Sequence, residues 1–363
     1  MKAMTVLGPI EASELGFTLP HEHIMFDSSV WVAAPKDPWK LEISKRPVTI
    51  ESVGELRRDP MICRDNLVLE DEDVALRELA AFRDAGGSTI VDVSSVGLRG
   101  DIERIRRLAH GSGLNIVVAT GCYVAQSHPP HVATQDVDQL TEWMVHELTI
   151  GIDGTDIRAG IIGELGVSEG GVHPEEEKVL RAAAAAQSET GAPITIHNAI
   201  PHERQGFTVL RLLEAAGADL SRVIMGHMTQ SVPDIAYHRA IADTGAVLEF
   251  DRFGAELYND SWGGKNYCEQ RDAEVVVEIA DLVRKGYADR ILLSHDIGFK
   301  VQLSSYGGLG YAHIPRRVVR YLANLEVPDE AIHQMTVANP ARLLGNERLT
   351  GADAAVAQGQ ALA

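Results

Sequence analysis

The chain has 363 residues, and its 52 Asp and Glu against 33 Lys and Arg give a formal net charge of −19 with histidine neutral. Hydrophobic residues make up 45% and charged residues 23%, which is typical of a globular protein with a large core and excludes a disordered polymer. The excess of negative charge disfavours binding to nucleic-acid phosphates or anionic lipid, so we expect neither nucleic acid nor a membrane as a partner.

The chain also lacks the sequence features of a secreted or membrane protein. Its N-terminal segment carries no sustained apolar run, and no window approaches the roughly 18 apolar residues of a membrane span. The three cysteines, Cys63, Cys122 and Cys268, are far apart and odd in number, which is typical of reduced thiols. We therefore expect a cytoplasmic protein.

From Glu70 onward, short β-branched runs alternate with longer helical patterns rich in alanine and charge. This rhythm is typical of repeated βα units around a parallel sheet. A first strand is predicted to end at 20–23. The other strands are predicted at 88–94, 115–120, 159–164, 193–197, 222–227, 246–250 and 290–296. The predicted helices are 71–85, 101–109, 136–150, 174–190, 207–216, 233–244, 273–285 and 314–323.

Eight βα units predict an α/β protein, a (β/α)8 TIM barrel with long strand-end loops, in a single domain over residues 1–345. An open doubly wound sheet is the alternative, but no glycine fingerprint follows the first strand. The loops 24–69 and 251–271 exceed the roughly 12–15 residues above which loops tend to be functional. Residues 346–363 are predicted to form a C-terminal tail.

The residues that end the predicted strands suggest a metal site, because a barrel places its active site at the C-terminal ends of its strands. A lone His-x-His pair is weak evidence, and a single histidine is more often a core residue. Position strengthens the case, since three strands end in histidine and two in a carboxylate, which are ligands that zinc and manganese prefer. The six candidates are His21, His23, Glu164, His197, His227 and Asp296.

Six ligands are too many for one tetrahedral zinc and suit two divalent ions about 3.5–4 Å apart that share a carboxylate. His21 and His23 are two residues apart, so on a strand both side chains point to the same face. Glu164 lies between the two histidine pairs in strand order. It is therefore the natural bridging ligand.

Segments around these residues resemble the phosphotriesterase-related proteins, a branch of the amidohydrolase superfamily that includes lactonases and proteins labelled resiniferatoxin-binding. The likeness runs from about residue 5 to 345. The segments include Gly16-Phe-Thr-Leu-Pro-His21-Glu22-His23, Thr120-Gly-Cys-Tyr123, Ala159-Gly-Ile-Ile-Gly-Glu-Leu-Gly-Val-Ser168, Thr190-Gly-Ala-Pro-Ile-Thr-Ile-His197, Gly226-His227 and Leu293-Ser-His-Asp296. The resemblance implies a distorted (β/α)8 barrel with a binuclear metal centre, and a homodimer.

The resemblance also implies how the ligands are shared. His21, His23 and Asp296 would hold the more buried of two divalent ions, and His197 and His227 the more exposed one. The ions would be Zn²⁺ first, with Mn²⁺, Co²⁺ or Fe²⁺ as alternatives. In the founding phosphotriesterases the bridge is a carboxylated lysine. Here it is Glu164, which supplies one negative charge and two oxygens, and this departure argues against organophosphate hydrolysis.

The resulting hypothesis is a hydrolase whose metal-bridging hydroxide attacks a lactone or another small ester, with phosphorylated sugar lactones among the candidates. Asp296 would take the released proton and pass it to the leaving alkoxide, and Tyr123 would contact the substrate oxygen. The alternatives are an organophosphate hydrolase or an amidase with the same site. A non-catalytic protein that binds a small ligand on the same barrel is a third.

Substrate contacts are expected from the loops after strands seven and eight. Arg252 and Trp262 lie in the first of these loops, and Lys300 lies in the second. Cations in an acidic protein suit a substrate phosphate or carboxylate, because guanidinium groups bind oxyanions in pairs of hydrogen bonds. The alternative is that Arg252 pairs with Asp251 or Glu249 and only orders the rim.

Overall fold

The structure is a computed structural model and describes residues 1–198, 204–260 and 267–349. In these ranges eight parallel strands form one sheet, and their aliphatic side chains are buried on both faces, as in other parallel sheets. The strands are β1 Thr18–Glu22, β2 Thr89–Asp92, β3 Asn115–Thr120, β4 Ile161–Gly166, β5 Ile194–His197, β6 Val223–Met225, β7 Val247–Phe250 and β8 Ile291–Leu293.

The sheet curls into a nearly closed barrel. Its strands follow one another in chain order, and the first and last approach each other through hydrogen bonds beyond the regular ladder. Asp296 donates its backbone N–H to the carbonyl of His21 over 3.1 Å, and His21 donates its own N–H to the Ser294 hydroxyl over 3.0 Å. The predicted (β/α)8 barrel is thus confirmed, and the doubly wound sheet is excluded.

Helices connect the strands, and their bounds agree with the predicted ones to within a few residues. The helix with the strongest sequence signals starts at Pro174, where the His173 side chain caps it, and ends at Gly191 with a left-handed φ of 74°. A π-helical turn, Ile314–Val318, leads into the last of the set. The helices are α1 Glu72–Asp84, α2 Ile102–Ser112, α3 Val137–Thr149, α4 Pro174–Thr190, α5 Gly206–Ala215, α6 Ile235–Ala242, α7 Asp272–Arg284 and α8 Val319–Asn324, with a short helix Pro130–Thr134 before α3.

The two long connections predicted as loops contain secondary structure of their own. Segment 24–69 begins and ends with an antiparallel pair, Phe26–Asp27 with Val68–Leu69, and contains the helices Leu41–Ser44 and Val53–Arg58. It has a small buried core, in which Leu56, Ile62 and Leu67 contact Leu257 and Phe299. The connection after β7 contains a second antiparallel pair, Tyr258–Asn259 with Tyr267–Cys268. Both segments rise over the C-terminal end of the barrel.

The opposite end of the barrel is covered by the two ends of the chain. An N-terminal hairpin of Lys2–Thr5 and Gly8–Glu11, which the sequence patterns did not predict, packs there with a last helical stretch, Asp329–His333, Gln334–Ala338 and Asn339–Leu344. Asn346 donates its backbone N–H to the Lys2 carbonyl over 2.7 Å. Residues 350–363 of the predicted tail lie outside the described residues. None of the described helices is long and apolar enough to cross a membrane.

Candidate metal centre

The structure brings the six predicted ligands together at the C-terminal ends of five strands. His21 lies in β1, Glu164 in β4 and His197 in β5, and all three side chains point into the mouth of the barrel. His227 and Asp296 follow β6 and β8 in left-handed conformations, with φ of 61° and 50°. Such φ values are uncommon outside glycine and cluster at functional sites.

Glu164 lies at the centre of the cluster. Its Oε1 atom is 2.9 Å from His197 Nδ1, 3.0 Å from His227 Nε2 and 3.4 Å from His21 Nε2. One carboxylate oxygen therefore contacts histidines of both predicted pairs.

Asp296 forms the second half of the cluster with the histidines of β1. Its Oδ1 atom is 3.0 Å from His23 Nε2 and 3.8 Å from His21 Nε2. Two overlapping groups with metal-ligand geometry result, His21 with Glu164 and His227, and His21 with His23 and Asp296. His21 belongs to both.

A buried ring nitrogen tests whether these residues fit a metal. His21 Nε2 is fully enclosed, and among the described residues it has no hydrogen-bond partner although two carboxylates surround it. Burying such an atom without a partner is costly. A divalent cation between Nε2 and the carboxylate oxygens would satisfy both, so the donor set fits a metal.

Buried groups lie beside the other ring nitrogens of three of the four histidines and orient their imidazoles. Glu249 Oε2 lies 2.8 Å from His21 Nδ1, and Ser94 Oγ lies 2.9 Å from His23 Nδ1. Asp251 Oδ2 accepts the backbone N–H of His227 over 2.7 Å and lies 3.1 Å from His227 Nδ1. Histidine ligands of metals are commonly oriented in this way. Sequence reasoning missed this role of Glu249, although an acidic residue inside the apolar run Val247–Phe250 is a signal for it.

The electrostatics of the cluster call for positive charge. Burial lowers the pKa of His227, but Asp251 and Glu164 outweigh it and raise the pKa to about 10. Burial raises the pKa of Glu164, but His197 and His21 outweigh it and hold the pKa well below its usual value. Buried carboxylates draw protons onto neighbouring imidazoles when other cations are lacking. Divalent ions would supply that charge directly.

A cleft opens onto the cluster. Tyr123 lines it, and the Tyr123 hydroxyl lies 3.2 Å from His197 Nδ1. Burial, with Glu164 and Asp296 nearby, raises the pKa of Tyr123 well above its usual value, so the phenol stays protonated. Sequence reasoning did not find the apolar wall of the cleft, which consists of Phe26, Trp31, Met61 and Phe299.

The three predicted substrate contacts have different positions. Arg252 lines the cleft and pairs with Asp296 and Glu269 rather than with Asp251 or Glu249. Lys300 lies apart from the cleft, where its amine is 2.7 Å from Asp65 and 5.8 Å from the centre of the Tyr306 ring. Trp262 lies outside the described residues.

A (β/α)8 barrel that gathers histidines and carboxylates at its strand ends has the architecture of a metal-dependent hydrolase. The family model described as the phosphotriesterase family matches residues 1–344, and the chain belongs to that family. Most of the relatives that it matches are named as hydrolases, and the chain is a metal-dependent hydrolase.

Three comparisons illustrate the relationship. The chain is 35% identical to an N-acetyltaurine hydrolase of Tetraodon nigroviridis, over 93% of this chain and 96% of that one. A crystal structure of a resiniferatoxin-binding protein from Rhodobacter sphaeroides superposes with a TM-score of 0.91 at 39% identity, over 94% of each chain. A lactonase from Listeria monocytogenes superposes with a TM-score of 0.76 at 26% identity, over 95% of this chain and 99% of that one.

Proposed function

We propose that the protein holds two divalent ions, zinc by preference, and hydrolyses the acyl bond of a small lactone, ester or amide. One observation carries the proposal, the position of Glu164 Oε1 within 3.4 Å of histidine nitrogens from β1, β5 and β6. A carboxylate between the two histidine pairs could serve as a ligand that two ions share. His21, His23 and Asp296 would hold one ion, and His197 and His227 the other.

When bound, the ions would activate a water molecule and polarise the substrate oxygen. The protein's own groups then handle protons. Burial raises the pKa of Asp296, but Arg252 and His23 outweigh it and keep the pKa below its usual value, so the carboxylate is ionised. We assign it the role of proton acceptor in the reaction. The protonated Tyr123 hydroxyl lines the cleft, where it can donate a hydrogen bond to the substrate oxygen as negative charge develops there.

The walls of the cleft disfavour an anionic substrate. Among the described residues, Arg252 is the single Lys or Arg that lines the cleft, and its guanidinium already bonds Asp296 and Glu269. A phosphorylated sugar lactone would need a cation that these carboxylates do not engage. The names of the relatives support an acyl substrate, since one is named a lactonase and others are named N-acetyltaurine hydrolases.

A substrate panel with metal analysis tests the proposal. Protein purified with zinc should carry about two ions per chain and hydrolyse lactones or small esters, with N-acetyl amides and lactone phosphates as further arms. Protein that carries well under one ion after Zn²⁺ or Mn²⁺ supplementation would contradict the binuclear site. Turnover of an organophosphate triester alone would contradict the acyl chemistry, and full metal without turnover of any arm would favour a binding protein.

A further inference from the structure

The hairpin after β7 brings two polar side chains to the cleft. Its strands, Tyr258–Asn259 and Tyr267–Cys268, pair with Asn259 opposite Tyr267, and Glu269 donates its backbone N–H to the Leu257 carbonyl over 2.9 Å. Side chains alternate along a strand, so Asn259 and Glu269 lie on the same face of the hairpin, as diagonal neighbours. Both line the cleft.

Glu269 is a carboxylate that the proposed chemistry does not use. Its side chain is 2% exposed. Oε1 accepts hydrogen bonds from Arg252, over 3.1 Å at Nε, and from the Gln230 amide over 3.4 Å. Oε2 is fully enclosed and has no hydrogen-bond partner in the part of the chain that the structure describes. One half of this carboxylate is therefore paired, and the other half is left for another donor.

Asn259 repeats this pattern beside it. The residue is 5% exposed, and its Oδ1 atom is enclosed without a hydrogen-bond partner among residues 1–198, 204–260 and 267–349. Each buried acceptor without a partner is costly. Two such acceptors on one face of one hairpin, both lining the same cleft, are the pattern of a site built to receive hydrogen-bond donors.

We propose that Glu269 and Asn259 form a subsite that binds a hydroxyl or amino group on the substrate, beyond the bond that is cleaved. Arg252 forms ion pairs with both Glu269 and Asp296, so its guanidinium group lies between the subsite and the Asp296 carboxylate of the proposed reaction centre. A substituent on the ring carbons nearest the carbonyl of a lactone can span that distance. Acceptor oxygens, one of them anionic, reject phosphates and carboxylates at this position.

This inference rests on the proposed acyl hydrolysis, and it predicts a definite selectivity. A substrate without a hydrogen-bond donor leaves both acceptors without a hydrogen bond, whereas a substrate with a donor forms a hydrogen bond with them. A site of this kind discriminates strongly against the analogue that lacks the donor. We expect kcat/KM for hydroxylated γ-butyrolactone to exceed that for its methoxy analogue by at least about tenfold, because a hydrogen bond to a charged group is worth that much.

The test compares seven probes on the zinc-loaded protein. They are γ-butyrolactone and its hydroxy, amino and methoxy derivatives, each at the α and the β ring carbon. The methoxy group keeps an acceptor of similar size but removes the donor. The hydroxy and amino arms separate the two donor chemistries, and a preference for either over methoxy supports the subsite. Equal kcat/KM for all probes at both ring positions would overturn it.

Two variants assign the preference to these residues. In E269Q the amide oxygen stays on Arg252, which can only donate, so an amide N–H₂ replaces Oε2. The hydroxy over methoxy preference should then fall from about tenfold to about one, since both probes can accept from that nitrogen. N259L removes the other acceptor without touching Arg252, and it should also reduce the ratio. Retention of the wild-type ratio in both variants would contradict the proposal.

The matched control is E147Q. Glu147 is also a buried glutamate paired with an arginine, 3.0 Å from Arg99, but it lies away from the residues that line the cleft. E147Q should keep the wild-type ratio between probes, so a change in that ratio is not a general result of losing a buried charge. The ratio of kcat/KM between two probes can also still be measured when a variant lowers kcat/KM for all of them.

A binding measurement separates the failure of this subsite from the failure of the proposed function. Hydroxylated and methoxylated 2-pyrrolidinones are lactams that hydrolyse far more slowly than lactones; a first NMR spectrum checks that the protein leaves them intact, and NMR titration then gives their Kd. If the wild-type protein cleaves no lactone, ester or amide but binds the hydroxylated lactam at least about tenfold more tightly, with loss of that preference in E269Q, the subsite stands and the proposed hydrolysis fails. If lactones are cleaved without any donor preference, the proposed function stands and the subsite fails.

Discussion

The floor and the wall of the cleft are built differently. The floor consists of side chains at strand ends, and the barrel ladder fixes their positions. The wall consists of segment 24–69 and the hairpin after β7, which contact each other through charged groups. Lys40 lies 3.2 Å from Asp59 in its own segment and 3.6 Å from Asp260 in the hairpin, and Arg58 stacks over the Tyr258 ring at 4.4 Å. The barrel therefore positions the candidate metal ligands, whereas contacts between two loops determine the shape of the cleft around a substrate.

The largest effect should come from the centre of the floor. E164Q removes the charge that contacts histidines from three strands but keeps the size of the side chain. We expect loss of bound metal and a drop in kcat/KM of at least about a thousandfold, with the fold retained. Metal content by mass spectrometry and circular dichroism check this. A folded E164Q with full metal content would show that Glu164 is not a ligand, and E147Q again serves as the control for a lost buried carboxylate.

Asp296 should give a different result, because its proposed roles are both ligand and proton acceptor. D296N keeps an oxygen that can face the metal but loses the proton acceptor, so part of the metal should remain. We expect kcat to fall by about 10²–10⁴-fold, the range that general acid–base groups supply. The measurement is kcat per bound metal. An unchanged value would remove Asp296 from proton transfer.

Beneath the floor, Glu249 should act through His21. E249Q keeps a hydrogen-bond acceptor near His21 Nδ1 but removes the charge, and metal affinity should fall by about 10–100-fold, as is usual for groups that orient metal ligands. Competition with a chelator measures this, and activity should recover in excess zinc. An affinity equal to wild type would mean that Glu249 only fills space.

The sequence predicts more of the floor of the cleft than of its wall. His197 and Glu164 end or interrupt short apolar runs, so periodicity alone places them at strand ends, and the barrel brings those ends together. The ion pair of Lys40 with Asp260 joins positions 220 residues apart in two irregular segments. No periodic pattern connects such segments. The apolar wall and the pairing of Arg252 with Glu269 were unpredictable for the same reason.

Breaking an ionic contact in the wall should change the free energy of unfolding more than it changes kcat/KM. Lys40 is 2% exposed, and K40M removes a buried ammonium group that lies 3.2 Å from the fully buried Asp59. We expect a loss of about 2–3 kcal/mol in the free energy of unfolding, measured with denaturant, and a change in kcat/KM smaller than that of E249Q. The control is K36M, because Lys36 is exposed and donates to the Asp260 carbonyl, and its cost should stay within about 0.5 kcal/mol. Equal stability of K40M and wild type would mean that the ionic contact does not hold the wall.

The smallest effect is expected at Lys300, which the sequence suggested as a substrate contact. Its amine lies 2.7 Å from a half-exposed Asp65 and faces a separate hollow near Leu69 and Tyr306. K300M should therefore change kcat/KM by less than about twofold for lactones with or without phosphate, and stability by at most about 1 kcal/mol. Steady-state kinetics on both kinds of lactone check this. A loss in kcat/KM above about tenfold that is confined to the phosphorylated lactone would place Lys300 in the substrate site. The loops around the cleft would then, like the floor, contribute charged contacts to the substrate.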